Sequence, residues 1–131
     1  MGTFNNIQNA LNTRLANISG LPVIYYPNDQ KEPLQSTPYL RPTLLPATSQ
    51  LYTLNDGDYH QGIYQIDIYK QLKFGSAPVL LIADAIRDGF RRQSLTSNGT
   101  IVHIQNISIS QARKEEGWWS CYVEVNYLCV A

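Results

Sequence analysis

Apolar residues in the first twenty positions recur at spacings of three and four. Phe4, Ile7, Leu11, Leu15 and Ile18 fall on one stripe, which predicts an amphipathic helix over 3–19. Thr3 can cap it, Gly20 can stop it, and Pro22 prevents its continuation. "LPVIYYP" then reads as a short strand. The polar, proline-bearing stretch 27–38 reads as an exposed loop.

A period of two takes over afterwards. "YLRPTLLPA" predicts a strand in which Pro42 removes a ladder donor, so an edge strand or a bulge is expected there. "SQLYTL" can extend it. The turn-rich cluster "NDGDYHQG" over 55–62 predicts a hairpin tip. In "IYQIDIYK", Tyr64, Ile66 and Ile68 share an apolar face, and Ile63, Gln65, Asp67 and Tyr69 share the other. "QLKFG" breaks that strand. Ser76 can cap a second helix with Pro78 in its first turn, where a missing N–H costs little. Val79, Ile82, Ala83, Ile86 and Phe90 form its buried stripe, with Asp84, Arg87, Asp88 and Arg91 facing outward.

An Asn-Gly turn at 98–99 leads into a strand through "TIVHIQNISIS". "RKEEG" reads as a charged turn. In the last strand, Trp119, Cys121, Val123, Val125, Tyr127 and Cys129 share the face expected to be buried; Trp118, Ser120, Tyr122, Glu124 and Asn126 share the other. Few helices and hairpin-linked strands predict an α+β fold: one twisted antiparallel or mixed sheet, with two main helices on one face. The 131 residues, without repeat or linker, fit a single domain spanning 1–131.

Composition narrows the function. Ten basic residues balance ten acidic ones, for a formal net charge of +0. A free-standing nucleic-acid binder usually carries a basic excess. Neutrality also protects poorly against self-association, a hint of an oligomer. No basic segment followed by an apolar run opens the chain, so no signal peptide is expected, and no stretch suits a membrane span. Asn6 stands where a myristoylation pattern wants Ser or Thr. The sequons at Asn17, Asn98 and Asn106 mean little without a secretory signal. Cys121 and Cys129, on one strand, lie roughly 26 Å apart at about 3.3 Å per residue, beyond disulfide reach. Buried free thiols are the expectation.

Candidate chemistry is sparse. Asp56, Asp58 and His60 could suggest an ion site, yet the closing Glu of a calcium loop is missing, so a plain hairpin tip is favoured. His103 reads as a strand residue on a half-exposed face. No nucleophile sits in an activating motif, no glycine-rich loop precedes a helix, and Glu115 and Glu116 read as solvated charge. No catalytic residue, cofactor or metal is expected. Arg87, Arg91 and Arg92 cluster at the end of the second helix. They suit either the helix dipole, the favoured reading, or a phosphate or acidic partner. The nine tyrosines stand out. Tyr52, Tyr59, Tyr69 and Tyr122, with Trp118, fall on faces expected to be exposed. Sheets favour aromatics in any case, but Tyr and Trp also concentrate at protein contacts. These residues and the three arginines are the candidate interface.

Three stretches in order, "TPYLRPTLLPA" (37–47), "GIYQIDIYKQLKFGSAPVLLIADAIRDGF" (62–90) and "ISISQARKEEGWWSCYVEVNY" (107–127), resemble the bacteriophage tail terminator-like proteins of the minor tail protein U type. The resemblance covers most of the chain and rests on structural patterns, not catalytic ones. The connector "KQLKFGS" departs from the family's glycine-rich form. The resemblance implies a non-enzymatic virion protein assembled in the bacterial host cytoplasm. It implies a homo-oligomeric ring, typically of six, that caps the head-proximal end of the tail tube. The partners would be the tube protein and the head–tail connector or neck proteins, with DNA passing through the lumen without sequence-specific binding and no membrane involved. Two other readings compete: another neck or head-completion connector ring, marked by basic lumen residues, and a small ligand-binding domain, marked by a closed apolar pocket.

Overall fold

The computed structural model describes residues 3–26, 38–52, 57–71, 75, 77–97, 99–115 and 118–130, with the side chains of 3–4, 46–52, 57–60, 71, 115 and 130 left aside. Helix α1 spans Thr3–Ala16 and helix α2 spans Ala77–Phe90. The strands are β1 (Val23–Ile24), β2 (Tyr39–Tyr52), β3 (Gly57–Gln71), β4 (Ser94–Ser97), β5 (Thr100–Ile109), β6 (Arg113–Glu115) and β7 (Trp118–Val130). The sheet order is β1-β2-β3-β7-β5-β4, and β6 also pairs with β7. β1 runs parallel to β2 and every other pairing is antiparallel, so the sheet is mixed.

The alternation read from the sequence is the alternation of the core. Tyr64, Ile66 and Ile68 on β3 and Cys121, Val123, Val125, Tyr127 and Cys129 on β7 are all buried. They meet Val79, Ala83, Ile86 and Phe90 of α2 and Ile7, Leu11 and Leu15 of α1 in one cluster. Both helices therefore cover the same face. Polar bonds fix α1 in place. The Asn6 amide donates to Thr100 Oγ1 at 3.0 Å, the Tyr64 hydroxyl donates to Asn12 Oδ1, and Arg14 Nε donates to the Gly89 carbonyl at 2.7 Å. Burial of the Tyr64 hydroxyl pushes its pKa well above that of free tyrosine.

Several boundaries differ from the sequence reading, each for a local reason. α1 ends at Ala16, not 19, because Asn17–Gly20 form a turn ending on Gly20 at φ 82°. The hairpin cluster 55–62 is strand from Gly57 onward, since β2 continues to Tyr52 and supplies partners. β3 likewise continues one residue further, through Gln71, which pairs with Trp118. Arg113–Glu115 is not a turn. It pairs as β6 with Trp118–Ser120. The segment before position 98 is a strand, β4, whose Ser97 pairs with Thr100 of β5, and Gly99 holds φ at 82°. Trp119 is half-buried at the end of the core, with the Lys114 ammonium 5.5 Å from its ring centroid. Ser120, expected on the open face, is buried. The Ser76 cap, the loop 27–37 and the hairpin tip at 53–56 lie outside the described residues.

Hydrogen bonds define both edges of the sheet. The Leu40 carbonyl accepts from Tyr25 N–H at 2.9 Å, so Leu40 directs its backbone away from β3. By the alternation of an antiparallel strand, Pro42, Leu44 and Pro46 do the same. β1 reaches only Leu40, so Pro42 indeed stands on an edge, with a bulge following between Pro46 and Ser49. On the other side, β4 covers β5 only from Thr100 to His103, and Ile104 N–H bonds the Gln93 carbonyl at 3.0 Å. β5 carries its own register shift between Ile104 and Asn106. Ser110 N–H bonds the Tyr122 carbonyl at 2.9 Å, facing β7. Ile109 and Ile107 therefore direct their backbone groups to the open edge.

Candidate functional site

Two surfaces concentrate the candidate residues. The first is the sheet face opposite the two described helices. Cross-strand rows run Tyr39–Tyr69–Ser120, Arg41–Asp67–Tyr122 and Thr43–Gln65–Glu124. Tyr39 is the hub of an aromatic cluster. It stacks on Tyr69 at 4.6 Å between centroids and meets Trp118 edge-on at 5.4 Å and Tyr25 edge-on at 5.7 Å. The Arg41 guanidinium lies 5.9 Å from the Tyr39 ring centroid. Gln65 Nε2 donates to Asp67 Oδ1 at 3.0 Å.

Tyr69, Trp118 and Tyr122 are thus brought to one face, each half-buried rather than fully exposed, with Tyr69 and Trp118 packed on Tyr39. Aromatic rings locked this way lose little freedom on meeting a partner, which suits a contact surface. The backbones of Tyr52 and Tyr59 lie in β2 and β3; their side chains lie outside the described residues. Sequence reading missed Tyr39. Its parity with Arg41 and Thr43, opposite to Leu40 and Leu44, carried the signal.

The second surface is an open cleft of about 320 Å³ lined by Arg87, Arg91, Arg92 and Ile104–Ile107. Arg87 reaches Asp84 at 3.4 Å and Asp88 at 3.8 Å, both exposed pairs of small energetic weight. Arg91 and Arg92 are exposed and have no ion-pair partner among the described residues. Arg92 holds φ at 59°, a left-handed conformation that favours glycine. Gln93 N–H closes this helix end on the Phe90 carbonyl at 3.2 Å.

The two thiols lie in the core rather than on these surfaces. The Cys121 thiol donates to the Val79 carbonyl at 3.7 Å, and burial pushes its pKa up to about 11. Burial also raises Cys129. Both thiols are free and buried, as the spacing along β7 requires. His103 is exposed on β5, with Nδ1 3.0 Å from Ser94 Oγ. The Asp56, Asp58 and His60 side chains lie outside the described residues. Among the described residues no cluster of potential metal ligands occurs, and no helix is long and apolar enough to cross a membrane.

Comparison with known proteins places this geometry. A family model described as phage tail terminator protein matches residues 6–127. No curated protein matches the sequence. One solved structure, whose name carries no functional description, superposes with a TM-score of 0.74 at 21% identity, covering 94% of this chain and 92% of its own. A chain from the virion of a native gene transfer agent particle superposes with a TM-score of 0.69 at 14% identity, covering 98% of this chain and 96% of its own. At these identities the superpositions establish the fold.

Proposed function

The chain belongs to the phage tail terminator protein family, and from that premise we propose that it caps the head-proximal end of a tail tube as a ring. Membership makes it a structural component of a phage-type tail. The match across 6–127 is the observation that carries the reading. The ring would hold six copies of a single 1–131 domain, stop tube polymerisation and present a surface to the neck or connector proteins. DNA would pass through its lumen without sequence-specific contact. Assembly would take place in the host cytoplasm and the product would reside in the virion. The similar chain in a gene transfer agent virion supports this placement.

A closed ring uses heterologous contacts, so each subunit needs two different patches. The sheet face with Tyr69, Trp118 and Tyr122 supports one of them. Tyr52 and Tyr59, whose backbones lie in β2 and β3, would be further candidates for that patch. Arg87, Arg91 and Arg92 lie beyond the opposite side of the sheet, and they form the second candidate patch.

Native mass spectrometry of the purified protein, alone and mixed with the tube subunit, tests the reading. A sixfold ring, or a monomer that assembles only on tube ends, is expected. A stable monomer that ignores tubes and carries a bound small molecule would overturn it.

A further inference from the structure

We infer that the uncovered stretch of β5, together with Arg87, Arg91 and Arg92, is a strand-addition site for an extended acidic segment of another protein. The first support is the edge itself. Beyond Ile104, β5 has β7 on one side and, among the described residues, no strand on the other. Ile107 and Ile109 direct their N–H and C=O groups there, and both residues carry the donor that a proline would lack. Such an edge is a template for an added strand, and natural sheets usually block it.

The second support is charge. The three arginines stand at the C-terminal end of α2, on the helix-covered side, and line one cleft with Ile104–Ile107. A strand laid along Ile107 and Ile109 would turn every second side chain toward that cleft. Carboxylates at those alternate positions would meet Arg91 and Arg92, whose guanidiniums are free to form charge-assisted pairs. The left-handed Arg92 is the third observation. A residue held at φ 59° where glycine would be easier keeps its charged side chain in the cleft at a cost to the fold.

This chain supplies no such segment among its described residues. Asp58 and Glu115 lie in strands already paired, Asp67 and Glu124 lie on the opposite face, and Asp84 and Asp88 flank Arg87. Outside the described residues, Asp29 and Glu32 flank Lys31, Asp56 directly precedes β3 and Glu116 directly follows β6, so none gives a separate run of alternating carboxylates. The occupant is therefore a different protein. The site stands whether or not the chain forms a ring.

The probes are an eight-residue peptide of alternating Glu and Thr, its Lys–Thr counterpart, two versions of the acidic peptide N-methylated at alternate amides, and a short DNA duplex. Binding to the full chain is followed by NMR titration. The acidic peptide should shift amides of Gln105–Ile109. Methylation of one alternate set should abolish binding and of the other should spare it. The exposed double variant R91E/R92E, checked for fold by circular dichroism, should weaken binding about tenfold or more. Absence of any peptide binding would overturn the site. So would equal binding of the Lys–Thr peptide, or indifference to methylation. A DNA duplex that binds in place of the acidic peptide and is lost in R91E/R92E would make the cleft a phosphate-backbone contact instead.

Discussion

Along β2 the edge-directed backbone positions after Leu40 are Pro42, Leu44 and Pro46; along the uncovered part of β5 they are Ile107 and Ile109. The first edge therefore lacks a donor at two of its three positions. The second has a donor at both. Proline at an outward position costs the β2–β3 ladder nothing, because that N–H had no partner to lose. It does deny a donor to any strand that approaches. Among the described residues β5 carries no such block, and it has three arginines beside it. One sheet thus closes one edge and leaves the other selective, which is how an assembling protein avoids random edge-to-edge pairing while keeping one docking route.

The contrast depends on an interior that holds both edges in register, so the largest effect is expected there. Ile66 is fully buried between α2 and the centre of the sheet. Ile66→Ala should cost about 2–5 kcal/mol, read by urea unfolding. Trp119, half-buried at the margin, should cost less on truncation, about 1–2 kcal/mol. If Trp119→Ala proves the more damaging, the core extends further toward β6 than the burial shows.

A smaller effect tests the closed edge directly. Pro42→Val combined with Pro46→Thr restores both donors and keeps an apolar side chain at the buried position 42. Stability should change by no more than about 1 kcal/mol. Self-association beyond the parent oligomer, followed by sedimentation velocity, should rise. Unchanged sedimentation would show that something other than proline guards β2.

Much of this was legible in the sequence because it rests on period. The stripe of α2, the face of Ile66 and Ile68, and the alternation from Cys121 to Cys129 each repeat long enough to outweigh local noise. Pro42 was legible as an edge marker. What stayed hidden depends on neighbours far along the chain. β4 has one apolar residue, Leu95, and β6 is Arg-Lys-Glu; both are strands only because β5 and β7 offer ladders. The arginine cluster could be seen at a helix end, but not the strand edge beside it. That juxtaposition needs β7 to lie between β3 and β5, and β4 to be short. Tyr39 was masked by the prolines around it, although it organises the aromatic face.

The smallest expected effect separates the cost of the open edge from its use. Arg92 occupies a left-handed position at the end of α2, where a glycine avoids the clash between Cβ and the following carbonyl oxygen. Arg92→Gly should therefore stabilise the fold by about 1 kcal/mol, with a rise of a few degrees in the thermal midpoint. The same change removes one guanidinium from the cleft beside Ile107, so acidic-peptide binding should fall as stability rises. Opposite signs in two assays on one variant are hard to obtain from a merely structural residue. If binding is unchanged while stability rises, Arg92 is a strained helix end with no part in docking, and the cleft rests on Arg87 and Arg91. If stability falls, the left-handed turn is not strained by its side chain, and the arginine is held there by contacts stronger than the conformational cost.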